Sequence, residues 1–137
     1  GYWTAMGVSH PLAKKVGTVE ESCQDMLLTR VSKGPVVGVY FPTALQGYGI
    51  LADRQAIKAF PKGFVLSGAL DTACALTAHM ATLTRDGMTP SFDCAANTWR
   101  GPGLSLYFRA FDSELRFGSG DLGAHERFSG GVLFTGQ

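Results

Sequence analysis

The sequence predicts an α+β domain in which a curved antiparallel sheet wraps one long, central, apolar helix. Three observations carry that expectation. From Phe64 to Thr84, Leu66, Ala69, Leu70, Ala73, Leu76, Thr77, Met80 and Leu83 recur at three- and four-residue spacing, which puts them on one helical stripe. The opposite side carries Ser67, Ala75, Ala78 and Thr82, small rather than charged, as in a helix packed on both sides. After Thr89 the chain changes to alternating apolar and polar residues punctuated by glycine and proline, the period of strands. Elements segregated in this way, with several consecutive strands, argue for α+β.

The order of elements follows from local signals. Gly1 to Gly17 reads as an irregular arm with enough apolar side chains to lie against the body or a neighbouring subunit. Thr18-Val19-Glu20-Glu21 has the form of a capping box, and Val19, Cys23, Met26, Leu27 and Val31 continue as an amphipathic helix to about Lys33. Gly34 and Pro35 end it. Pro35 to Phe41 is a strand by its β-branched and aromatic content, closed by Pro42. Ile50 to Phe60 fits either a strand or a short helix, and Pro61-Lys62-Gly63 is a break before the central helix. Gly87 ends that helix. Strands are expected over Thr89 to Trp99, Leu104 to Phe111, Glu114 to Gly118 and Gly131 to Gly136, with a glycine-rich loop at Gly118 to Gly123.

With 137 residues and no repeat or linker, residues 1–137 form one domain. Hydrophobic residues make up 45% and charged residues 17%, so a second copy is expected to cover some of the apolar surface, as a homodimer or a dimer of dimers. A net charge of +1 gives no argument for nucleic acid or an anionic membrane as partner. No apolar run reaches membrane-spanning length and the N-terminus lacks a signal pattern. Cys23, Cys74 and Cys94 are odd in number and in no metal-ligand spacing, so free thiols and a cytoplasmic, reducing location are expected, with Cys74 buried in the central helix. No metal and no cofactor are expected.

Asp71 stands out as a carboxylate on a nearly uncharged, buried helix, where it needs a partner, a shifted pKa or a water-lined site. Two readings follow: an Asp bonded to nearby backbone or hydroxyls for structural reasons, or a catalytic carboxylate.

The segment Lys62-Gly63-Phe64-Val65-Leu66-Ser67-Gly68-Ala69-Leu70-Asp71-Thr72-Ala73, with Thr89 to Arg100-Gly101-Pro102 after it, resembles the hotdog-fold acyl-thioesterase family. That family's signature is roughly His-Gly-Gly, a small apolar run, then Leu-x-Asp-x-Ala or Leu-Asp-x-Ala. The chain departs from it at Lys62, where the family has His, and at Phe64, where it has the second Gly. The resemblance implies a hotdog-like fold and hydrolysis of an acyl thioester carried on coenzyme A or a carrier protein. In that chemistry Asp71 activates water or attacks the carbonyl. The N–H groups of Gly63 and Phe64, at the helix start, polarise the carbonyl oxygen. It also implies a site shared across a dimer, with Ser67 on the small face that allows the approach and Lys62, Arg85 and Arg100 at the rim for carrier phosphates. Arg54 and Lys58 are further rim candidates.

Two other classes fit the same pattern: a non-catalytic binding protein for a small apolar ligand or acyl group, and an α+β barrel of the cyclase or isomerase type. Gly118-Ser119-Gly120-Asp121-Leu122-Gly123 lacks the following helix of a phosphate loop, and Ser119 lacks a nucleophile elbow. His125 has no second His at ligand spacing.

Overall fold

A computed structural model describes residues 15–112 and 114–136 of the chain. The arm expected over Gly1 to Gly17 lies outside them as far as residue 14. Its end, Val16–Thr18 (β1), pairs antiparallel with Asn97–Trp99 (β5) as a small separate ribbon.

The main sheet is built from Val39–Gln46 (β2), Phe64–Leu66 (β3), Ser91–Cys94 (β4), Ser105–Phe111 (β6), Glu114–Gly120 (β7) and Phe128–Phe134 (β8), in the order β2-β8-β4-β6-β7. β8 is its axis. One edge of β8 pairs with β2, and the other pairs with β4 over its first half and with β3 over its second. The sheet is mixed, since β4 and β8 run parallel while every other pair is antiparallel. Helices cover both faces. Ile50–Ala56 (α2) lies on the face where Ile50 and Ile57 meet Leu45, Leu66, Ala95, Ala96 and Val132. Gln24–Lys33 (α1) and Ala69–Ala78 (α3) lie on the other, where Leu28 and Ala69 meet Cys94 and Leu106. Burying such side chains stabilises by roughly 1.5–3 kcal/mol each.

The α+β class is thus the observed one, but the long central helix is not. Phe64, Val65 and Leu66 form β3, in register with Phe134, Leu133 and Val132 of β8. The helix begins only at Ala69 and is ten residues long. It breaks at His79 (φ −131°, ψ 39°), and a single further turn follows, Met80–Leu83 (α4). A β-branched and aromatic triplet three residues long satisfies helical spacing by chance, and pairing with a strand 68 residues later decides its state. The helix is also not packed on both sides: Leu76 is buried, but Cys74, Thr77, Ala78, Met80 and Thr82 are exposed.

Other local expectations shift by a few residues. Thr18 lies in β1 and its hydroxyl donates to Asp25 at 2.9 Å; a 3-10 turn at Glu20–Ser22 and left-handed Cys23 (φ 61°) precede α1. Gly34 ends α1 as expected. Pro42 does not close β2, which passes through it with an irregular register between Phe41 and Leu45. Thr89 to Trp99 is split into β4 and β5 by a tight turn at Ala95-Ala96.

Candidate functional site

Between Ser67 and Asp71 the chain leaves β3 and turns into α3. Ser67 N–H still bonds to Gly131 of β8 at 3.0 Å, so Ser67 continues the sheet. Gly68 then takes the N-cap position, where a Cβ would press on Asn97 Oδ1 and the Gln24 carboxamide. Having no side chain of its own to cap the helix, it leaves that work to two other residues. Asn97 Oδ1 accepts from Ala69 N–H at 2.7 Å, and Asp71 Oδ1 accepts from Gly68 N–H at 2.9 Å. Asp71 is therefore in the first helical turn, not the middle. This corrects the expectation that Gly63 and Phe64 start the helix. Gly63 is a buried left-handed residue (φ 96°) in the turn before β3, and Phe64 N–H is bonded to Pro61 at 3.3 Å.

Asp71 is 8% exposed and sits at the centre of a polar cluster. Gln24 Nε2 donates to Asp71 Oδ1 at 3.0 Å and to Leu66 O at 2.8 Å, tying α1 to the start of α3. The carboxyl is pushed up to about 6, because burial outweighs its bonds from Gly68 N–H and the Gln24 amide. Around Asp71 Oδ2 lie four more buried polar atoms, Tyr40 Oη, Ser67 Oγ, Thr72 Oγ1 and Gln24 Oε1. None of the five has a partner at full hydrogen-bond geometry among the described residues, but Ser67 lies toward the Asp71 carboxyl, and Thr72 and Ser67 toward the Tyr40 phenol. The Tyr40 ring lies on Gly131, where a Cβ would collide with it, and burial raises its phenol above the usual range.

Tyr40 and Asp71 also line a cleft of about 830 Å³ between α1, β2 and α3–α4. Its other walls are mainly apolar, from Leu27 and Val31 of α1, Leu70 of α3 and Leu133 of β8. A volume of this size fits a small ligand, and an apolar wall with a few convergent polar groups is the usual make-up of such sites. Cys74 lines it too, and is exposed rather than buried as the sequence suggested; Cys94 is buried and its thiol is pushed well up by burial. Burial, then Asp71, pushes the Cys74 thiol up, so native Cys74 is expected to react with a thiol reagent more slowly than exposed Cys23, and Cys94 only on unfolding, read by mass spectrometry of the labelled peptides.

Of the other sequence-based site residues, Ser67 joins Asp71 in the cluster, fully buried. Lys62, Arg85 and Arg100 are exposed and none lines the cleft; Arg100 lies over the Trp99 ring at 5.4 Å. Arg54, a rim candidate, is instead buried under α2, where it donates to the carbonyls of Ala95 at 2.8 Å and Asn97 at 3.0 Å. Lys58 pairs with Glu21 at 3.9 Å. Gln24, Tyr40 and Thr72 were not singled out by the sequence, and no local pattern marks them, since they meet Asp71 only through tertiary packing. A second cavity, of about 910 Å³, has Arg109 and Arg127 balanced by Asp86 and Glu126.

A second buried acid group lies on the opposite face. Asp53 of α2 is fully buried against Gly130, with neither carboxylate oxygen hydrogen-bonded among the described residues. Asp93 of β4, in register with Gly130, is its neighbour. Asp53 is pushed up to about 8 by burial, then by Asp93, with Arg54 opposing; Asp93 is pushed up to about 7 by burial. Neither lines the cleft.

No group of three or more His, Cys, Asp or Glu side chains among the described residues is placed to hold a metal ion, and no helix there is long and apolar enough to cross a membrane. Comparison with family models, curated proteins and solved structures finds no significant match to the chain.

Proposed function

We propose that this protein binds a small, largely apolar molecule in the cleft between α1, β2 and α3. The observation that carries the reading is the coincidence of an apolar cleft with a buried carboxyl, Asp71, and the half-buried Tyr40, at one wall. A neutral, environment-sensitive dye such as Nile red should bind at one site and slow the labelling of Cys74. Ala75→Phe, which narrows the cleft from its α3 side, should weaken the dye about tenfold while leaving the circular dichroism spectrum unchanged. Dye binding unaffected by Ala75→Phe would remove the cleft as the site.

Acyl-thioester hydrolysis, with its hotdog-like arrangement, is the second reading. It is favoured by one feature, a carboxyl raised to about 6 with a spare oxygen beside a space wide enough for an acyl chain. Against it stand the donors at the start of α3, where Gly68 N–H is taken by Asp71 and Ala69 N–H by Asn97. A homodimer belongs to this reading, since a second copy against the exposed face of α3–α4 can bring further donors to the cleft. Turnover of short, medium or aromatic acyl-CoA, lowered a hundredfold or so by Asp71→Asn, would establish hydrolysis. Binding without turnover leaves the first reading alone.

A further inference from the structure

The charge in the cleft says more about its ligand. Among the described residues that line it, Asp71 is the one carboxylate and there is no Lys or Arg. An anionic head group placed against Asp71 would meet a like charge, with no Lys or Arg among those lining residues to compensate it. Asp71 Oδ2 and Gln24 Oε1 are acceptors, and the hydroxyls of Tyr40, Ser67 and Thr72 around them each donate as well as accept but carry no charge. What such a set lacks is positive charge, which a cationic N–H donor brings.

We infer that the cleft takes an apolar amine, its hydrocarbon against Leu27, Val31, Leu70 and Leu133 and its ammonium on Asp71, with Tyr40 as a second acceptor. The inference rests on the binding reading above and adds the class of ligand. Asp71 Oδ2 is covered at the cleft wall, so a ligand that reaches it moves Tyr40 or Asp71, the two members of the cluster that line the cleft. The cost of moving them is offset by the counter-charge, which a carboxylate held up by burial lacks in the free protein. The titratable groups facing Asp71 are Tyr40 from β2, Cys94 from β4, Cys74 on its own helix and His79 at the end of that helix. Loss of a proton from Asp71 strengthens the pair, so amine affinity rises with pH until Asp71 is ionised.

Isothermal titration with n-hexylamine, hexan-1-ol and hexanoate, equal in apolar length and different in head group, tests this. The amine is expected to bind about tenfold or more tightly than the alcohol at pH 7.5, and the acid weakest. The amine-to-alcohol ratio should fall as the pH drops from 7.5 to 5. Asp71→Asn keeps an oxygen for Gly68 N–H and should bring the ratio near one; His79→Gln should leave the pH trend in place. Hexanoate binding as well as the amine, or a ratio independent of pH, overturns the amine inference while the apolar cleft stands. If none of the three binds, and Nile red does not, the cleft reading falls with it. Because the wild-type ratio and its pH trend decide the matter, a poorly folded Asp71→Asn variant would not rescue the proposal.

Discussion

Asp53→Asn is expected to stabilise the protein at pH 8 by about 3 kcal/mol and to flatten much of its pH dependence. The native carboxyl is fully buried, makes no hydrogen bond among the described residues and faces Asp93. Its pKa is raised from 3.8 to about 8, so between those values the folded state holds a proton that the unfolded state has lost. Stability from a proton held only in the folded state is greatest below pH 4 and is lost as pH rises to 8. At about 1.4 kcal/mol per unit the full difference is roughly 5–6 kcal/mol, and relaxation of α2 with entry of water reduces it to the smaller figure. Asp93, raised to about 7, and Asp71, raised to about 6, add the same sign over narrower ranges. Wild type should therefore melt at higher temperature at pH 5 than at pH 8, the reverse of a protein held by ionised carboxylates. In the Asn variant the melting temperature should change least between those two values. At pH 4 the variant should be no more stable than wild type, because the Asn amide brings two donors to a site with few free acceptors. A wild type most stable at pH 8 would show that a charged partner reaches Asp53.

How much of this was legible in the sequence depends on how far apart the deciding residues lie. Gly34 ended α1 where expected and Leu104 to Phe111 became β6 nearly as read, because a cap or an alternation is complete within a few residues. The start of the central helix was misread because Phe64-Val65-Leu66 suits both states and its partner, β8, is at the other end of the chain. Alternation in Ser91 to Cys94 correctly separated Phe92 and Cys94 from Asp93. It could not show that α2 covers the Asp93 face as well. Asp71 was legible as a carboxylate that folding buries, but neither the polar cluster around it nor its choice between structural and chemical roles was. Gln24, 47 positions away, and Tyr40 make its environment, and neither belongs to a short motif.

The capping of α3 links that environment to stability, and Asn97→Ala is the variant expected to break it. Asn97 is fully buried in β5, accepts from Ala69 N–H at 2.7 Å and donates to Gly17 O at 3.1 Å, so one side chain fixes the helix start and the β1 ribbon together. Losing the cap leaves Ala69 N–H unpaired and costs about 1 kcal/mol, and the half-buried Gly17 O left without the amide adds up to about 1 kcal/mol. A total of about 2 kcal/mol is expected in urea denaturation. Asn97→Asp should cost less at the helix, since it keeps an acceptor aimed at Ala69 N–H at the positive end of α3. It loses the donor to Gly17 O and places a second carboxylate near Asp71. The two variants thus separate the cap from the ribbon. Hydrogen exchange should quicken at Ala69 in Asn97→Ala and at the β1–β5 pairing in both. Because Asp71 is held by Gly68 N–H one residue before that cap, Asn97→Ala should also weaken Nile red in the cleft several-fold under conditions where the variant is folded. A loss below about 1 kcal/mol, with Nile red affinity unchanged, would mean that Gln24 and Gly68 hold Asp71 in place without Asn97.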